Sequence, residues 1–339
     1  MSYREIFNDI RNNTISRLYL FCGEEEYIKD QALLRLEEKI LSENFRDLNY
    51  QVMDGSEVSA NDIINACETF PFMGDRRLVL VKDYVLFKAG GRRPANEEAE
   101  IERIVQYLPN IPPTTCLLFF NRGEIDKRRS VVKAVKKNGK IIEFKMLNER
   151  ELMSWVGNTC KRYGKQIKAA EIQYLLSLSG KKLEEIHNEI LKLVDYTGKK
   201  SRIERDDIDK VVTRSLEHTI FQLVDSLGAR EIHHGIRMLH QMLTDGEHPL
   251  IILSMIGRQF RILLQAKLLH EKGYSSKAIG EKMGIPSFVV TKSIRQSRNF
   301  TNQQLQEALK MCLETDQKIK TGEMKDRLAI EMLILKIAG

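Results

Sequence analysis

The chain has 339 residues and a mass of 39.3 kDa, long enough for two or three domains with a sizeable core and too long for a small scaffold. Its 54 Lys and Arg against 47 Asp and Glu give a formal net charge of +7 and a pI near 9.0, with 30% charged and 42% hydrophobic residues. That balance is close to the globular average and compatible with a mild attraction to a polyanion. The five cysteines (Cys22, Cys67, Cys116, Cys160, Cys312) are odd in number, far apart and set in apolar stretches without a CxxC or a nearby histidine. This argues against a zinc site and for reduced thiols in a cytosolic protein.

The opening decapeptide MSYREIFNDI carries charges through what would be a signal-peptide core, and no run approaches a membrane span. A cytoplasmic protein without a membrane partner is expected. Next comes an alternation of strand-like and helix-like segments: strands at 18–22, 50–53, 78–81, 116–120 and 141–144, with helices at 27–42, 60–70, 97–108 and 127–137 between them. The alternation predicts a parallel sheet with helices on both faces over residues 1–147. LFKAGGRRPANEEAE, with its Gly-Gly and Pro94, reads as an exposed loop. Beyond Asn148 the pattern is helical: four segments over 148–212 predict a small helical domain, and residues 213–339 predict five or six longer helices.

Within the first strand and helix, LYLFCGEEEYIKDQ stands where a phosphate loop would stand. A working loop is GxxxxGK[ST], whose backbone amides wrap the phosphates while the lysine neutralises charge and the hydroxyl holds Mg²⁺. The aligned residues here are Gly23, Glu24, Glu25, Glu26, Tyr27, Ile28, Lys29 and Asp30, so the second glycine and the hydroxyl are missing. Like charges about 4 Å apart at an effective dielectric of about 20 cost roughly 4 kcal/mol, and Lys29 cannot offset three glutamates. The strand RRLVLVKDY, which should end in an acidic Mg²⁺ partner, places Lys82 before Asp83 and Tyr84 after it. The plain reading is that Glu24 to Glu26 cap the helix and favour its dipole.

In NDIINACETFPFMGDRRLVLV, Ile63, Ala66, Cys67 and Phe70 recur at helical spacing and are expected to face the core, with Pro71 ending the helix. Phe72 and Met73 then fall in a turn closed by Gly74. Two large apolar side chains left in water forgo about 1.5 to 3 kcal/mol each, so they either tuck under a neighbouring loop or meet a partner.

In DKRRSVVKAVKKNGK, Arg129, Lys133, Lys136 and Lys140 recur at helical spacing, with Arg122, Lys127 and Arg128 near the start. A solvated helix face is the ordinary meaning of such a run; a phosphate-tracking surface on duplex DNA, non-specific in sequence and weakened by salt, is the functional one. SKAIGEKMGIPSFVVTKSIRQSRNF has the look of a helix-turn-helix with Lys292, Arg295 and Arg298 on its second helix, but Phe288, Val289, Val290 and Ile294 suit a packing helix as well. His233, His234, His240 and His248 lack a ligand set and read as surface or interhelical residues, and Trp155 reads as core. Neither a catalytic centre nor a metal site nor a cofactor can be singled out.

Five segments in order, LYLFCGEEEYIKDQ, FPFMGDRRLVLVKDY, NRGEIDKRRSVVKAV, LSGKKLEEIHNEILKL and LETDQKIKTG, make the chain resemble the delta subunit of the bacterial DNA polymerase III clamp loader over nearly its whole length. The resemblance implies an AAA+ type α/β domain over 1–147 with a phosphate loop degenerate at Gly23, Glu24, Glu25 and Lys29. It further implies a helical lid over 148–212 and an all-α collar over 213–339 through which five subunits assemble. It implies a non-catalytic part of a DNA-directed DNA polymerase holoenzyme, a nucleotidyltransferase, acting in DNA replication. The expected partners are the sliding clamp (beta subunit), the tau/gamma and delta prime subunits, and primer-template DNA bound without sequence preference. The resemblance places Phe72 and Met73 in the clamp pocket, with Phe70 and Phe72 as the alternative register. It makes DNA contact by Arg122, Lys127, Arg128, Arg129 and Lys133 reasonable without naming which. An active AAA+ ATPase and a helix-turn-helix regulator are the alternatives.

Overall fold

The structure is a computed structural model and describes residues 3–88, 96–180 and 182–338. The chain divides into two compact units, Met1–Leu147 and Asn148–Gly339.

In the first unit the helices are α1 (Arg4–Asn12), α2 (Glu26–Ile40), α3 (Arg46–Asn49), α4 (Ala60–Glu68), α5 (Glu97–Tyr107) and α6 (Ser130–Asn138). The strands are β1 (Leu18–Cys22), β2 (Tyr50–Asp54), β3 (Arg77–Lys82), β4 (Thr115–Phe120) and β5 (Lys140–Glu143). They form one sheet in the order β2-β3-β4-β1-β5 with every pairing parallel. The mixed α/β class expected from the alternation is therefore the one found. All residues of β1 and β4 are buried, as expected of central parallel strands covered on both faces. Ile63, Ala66 and Cys67 of α4 join Val79, Leu117, Phe119, Val131, Val132 and Val135 in one core. The loop expected around Pro94 lies largely outside the described residues.

Two local expectations are corrected. Helix α4 stops at Glu68, because Thr69 has left the helical region (ψ 128°), so Phe70 does not face the core and is 84% exposed. Helix α6 begins at Ser130 rather than Lys127, leaving Arg129 at its N-cap position, and Lys140 lies on β5; Arg129, Lys133, Lys136 and Lys140 therefore do not share one helical stripe. In the turn before β3, Met73 is left-handed (φ 47°).

The second unit opens with a capping box, in which the Asn148 side chain accepts from the Glu151 amide and the Glu151 side chain from the Asn148 amide. Helices α7 (Glu149–Arg162), α8 (Ala169–Ser179), α9 (Leu183–Thr197) and α10 (Arg205–Val211) follow, with a two-residue parallel strand pair, β6 (Gln166–Ile167) and β7 (Arg202–Ile203), between them. Then come α11 (Leu216–Gly228), α12 (Ile232–Thr244), α13 (Pro249–Glu271), α14 (Ser276–Met283), α15 (Ser287–Ser297), α16 (Asn302–Lys320) and α17 (Asp326–Ala338). These are seven helices among the described residues, where five or six were expected. The core of this part joins Leu223, Leu239, Ile256, Phe260, Leu305 and Ile334. Trp155 is only part-buried, its ring 6.4 Å from that of His187.

Candidate functional site

The segment after β1, where a phosphate loop would stand, is closed by backbone hydrogen bonds. Gly23 has φ 112°, and a Cβ there would meet the Phe144 carbonyl oxygen at 2.3 Å, so glycine is required by both conformation and space. The Gly23 amide donates to Gly123 O at 2.7 Å and the Glu25 amide to Phe144 O at 3.0 Å. Lys29, fully buried, turns inward: its ammonium donates to Gly23 O at 3.0 Å, Asn121 O at 3.1 Å and Glu26 Oε1 at 2.8 Å. An ammonium has three donors, so none remains for a phosphate oxygen. Glu25 sits at the N-cap position and is buried, while Glu24 is exposed. Burial raises the Glu25 carboxyl above its ordinary range, opposed by the amides of Tyr27 and Ile28 in the first turn of α2. The acid at the end of β3 is also occupied. Asp83 Oδ1 accepts from Lys88 Nζ at 3.0 Å and from the Arg122 amide at 3.1 Å. Burial works to raise its carboxyl, but these bonds hold it below the usual range.

The apolar tip lies between α4 and β3. Phe70 is 84%, Phe72 51% and Met73 73% exposed, so the tip does not tuck under a neighbouring loop. The Phe72 ring meets that of Phe45 edge-on with centroids 5.8 Å apart. The tip backbone is nonetheless fixed. Asn49, 2% exposed, accepts the Phe72 amide on Oδ1 at 2.7 Å and donates from Nδ2 to Phe72 O at 2.8 Å. Buried Arg77, the first residue of β3, donates to Thr69 O at 3.1 Å, and Arg76 to Ile15 O at 3.1 Å. Met73 in the left-handed region costs about 1 to 2 kcal/mol, a strain that surrounding structure must hold. Sequence reasoning missed Asn49 and Arg77, since only the three-dimensional register brings them to the tip.

The basic residues divide into used and unused charges. Arg129 is part-buried, pairs with Glu97 and donates to Lys88 O at 3.1 Å. Lys127 pairs with Glu143 at 3.1 Å, Arg128 with Asp126 at 2.9 Å, and Arg122 lies 3.6 Å from Asp83. Lys133, Lys136 and Lys137 on α6 are exposed, with no ion pair among the described residues. The helix-turn-helix look belongs to α14 and α15, where Gly284 is left-handed (φ 65°). Helix α15 buries Val290, Ser293, Ile294, Gln296 and Ser297, so its apolar side packs within the second unit while Arg295 and Arg298 stay exposed.

Among the described residues no group of histidine, cysteine or carboxylate side chains is arranged to hold a metal, and no helix is long and apolar enough to cross a membrane. His240 Nε2 lies 2.7 Å from Glu331, and His248 accepts the Leu250 amide at the start of α13. All five thiols are buried and free; burial pushes Cys67, Cys116 and Cys312 up to about 12 and Cys22 and Cys160 up to about 11.

Comparison with known proteins gives one family. Residues 19–145 match the family model "DNA polymerase III, delta subunit", and residues 217–337 match "DNA polymerase III delta subunit, C-terminal domain". The DNA polymerase III subunit delta of Bacillus subtilis (strain 168) is 29% identical over 334 residues, covering 98% of this chain and 96% of that one. A probable DNA polymerase III subunit delta of Aquifex aeolicus (strain VF5) is 26% identical over 276 residues, 79% of this chain and 76% of its own. The solved structure of the Bacillus subtilis DNA clamp loader delta protein superposes with a TM-score of 0.70 at 28% identity, covering 99% of both chains.

Proposed function

Because the chain belongs to the DNA polymerase III delta subunit family, we propose that it is the clamp-gripping subunit of a clamp loader, without catalysis of its own. It anchors Phe72 and Met73, with Phe70 beside them, in an apolar pocket of the ring-shaped sliding clamp. The neighbouring surface then distorts the ring and opens one interface for loading onto primed DNA in the cytoplasm. The observation that carries this reading is the tip itself: three large apolar side chains exposed on a backbone held in place by buried Asn49 and Arg77. Leaving such side chains wet is unfavourable by about 1.5 to 3 kcal/mol each, and clustered exposed apolar groups mark contact surfaces.

The closed phosphate loop supports a division of labour in which nucleotide is bound by the tau/gamma subunits, and delta prime and this chain complete the assembly. In that assembly residues 148–212 act as lid and 213–339 as collar. Helix α17 supports the collar role. It buries Ile330, Leu333 and Ile334 yet leaves Leu328, Met332 and Leu335 in solvent, and clustered exposed apolar side chains mark contact surfaces. Primer-template DNA is contacted through phosphates, without sequence preference. The test is co-migration of the intact chain with the sliding clamp in gel filtration without nucleotide. Complex formation by the wild type and its loss in a folded Phe72→Ala/Met73→Ala variant supports the reading; equal co-migration of both proteins removes the anchor.

A further inference from the structure

The exposed side chains of the tip hang from a backbone whose central residue is gripped by a single side chain. Asn49 closes α3, and its amide satisfies both the N–H and the C=O of Phe72, at 2.7 and 2.8 Å. A side-chain amide offers one acceptor and two donors, so this pairing does for Phe72 what a neighbouring strand would do. The approach is close on the next residues too, since a Cβ on Gly74 would lie 3.3 Å from Asn49 Nδ2. Phe45, four residues before Asn49 and at the N-cap position of α3, braces the Phe72 ring. The far end of the tip is held by Arg77 on the Thr69 carbonyl. Met73, left-handed at φ 47°, stands next to the gripped residue, and that conformation persists only where its surroundings impose it.

From these contacts we infer that Asn49 is the positioning residue of the clamp-gripping tip, holding Phe72 and Met73 in their binding shape before the partner arrives. The inference rests on the tip being the clamp anchor. Its consequence is kinetic. If the binding shape is only a fraction of the free population, apparent affinity falls by that fraction, through slower association rather than faster release. A side chain that itself touched the clamp would instead speed release.

The experiment measures association and dissociation rates of the intact chain on immobilised sliding clamp for wild type, Asn49→Ala, Asn49→Asp and Phe72→Ala/Met73→Ala, well below each melting midpoint. Amide hydrogen exchange at Phe72 is followed in the free proteins. Asn49→Ala is expected to slow association about tenfold with an unchanged release rate and to speed exchange at Phe72. Asn49→Asp, which keeps the acceptor but sets a carboxylate oxygen against Phe72 O in place of the donor, is expected to slow association at least as much. Unchanged association in Asn49→Ala, or faster release at an unchanged association rate, overturns the positioning role while the anchor stands if the double variant has lost binding. A double variant that binds like wild type overturns the anchor itself. Phe72 exchange that is unchanged in Asn49→Ala overturns preorganisation whatever the clamp does.

Discussion

The ammonium of Lys29 lies 3.1 Å from the carbonyl oxygen of Asn121, a bond that joins the start of α2 to the residue that follows β4. With Gly23 O and Glu26 Oε1 as its other acceptors, the buried ammonium acts as a structural pin.

Lys29 is therefore expected to matter for stability rather than for nucleotide. Lys29→Ala leaves Gly23 O and Asn121 O without this donor, and a buried unsatisfied acceptor costs about 1 to 3 kcal/mol. Urea unfolding of the variant should show a lowered midpoint. Calorimetric titration with ATP and Mg²⁺ should show no binding in either protein; stoichiometric binding by the wild type would restore the ATPase reading.

Arg129 and Lys133 stand four residues apart and are expected to behave differently. Arg129→Ala breaks the part-buried pair with Glu97 and the bond to Lys88 O, so thermal unfolding should shift down by a loss of about 1 to 3 kcal/mol. Lys133→Ala should leave the melting curve in place. If α6 follows a DNA backbone, that variant should reduce the slope of log affinity against log salt by about 0.9 on duplex DNA of any sequence.

His218 makes the second unit sensitive to mild acid. Its Nδ1 lies 2.9 Å from Ser177 O. Burial, with the charges of Arg214 and Lys292, holds the imidazole below its ordinary value despite that bond. A depressed folded pKa means the unfolded chain binds the proton first, so this contribution is complete above the ordinary imidazole pKa of about 6.5. It is lost as pH falls through that value toward the folded one. Melting midpoints followed from pH 7.5 to 5.5 should fall less in His218→Gln than in wild type; parallel curves would remove His218 from the pH response.

The sequence made β1, β3 and β4 legible because parallel strands buried on both faces read as unbroken apolar runs, and the change to a helical pattern near Asn148 was legible too. Phe70 was misplaced because 3.6-residue spacing continues past the point where Thr69 turns the chain. Arg129 and Lys140 were misplaced because spacing cannot tell a cap or a strand from one more helical turn. The missing glycine and hydroxyl of the phosphate loop were readable, but the inward turn of Lys29 was not, since its partners Asn121 and Gly23 meet only across the sheet. Asn49, 23 positions before Phe72, carries no local signal at all.

The most direct measurement follows the clamp itself. A sliding clamp carrying a donor and an acceptor dye across one subunit interface is mixed with the intact chain, without ATP, and energy transfer is recorded for wild type and for Phe72→Ala/Met73→Ala. A loss of transfer with wild type that the variant does not produce is the expected result. Transfer unchanged by saturating wild type, or lost equally with the variant, contradicts the claim that this tip grips the ring and opens it.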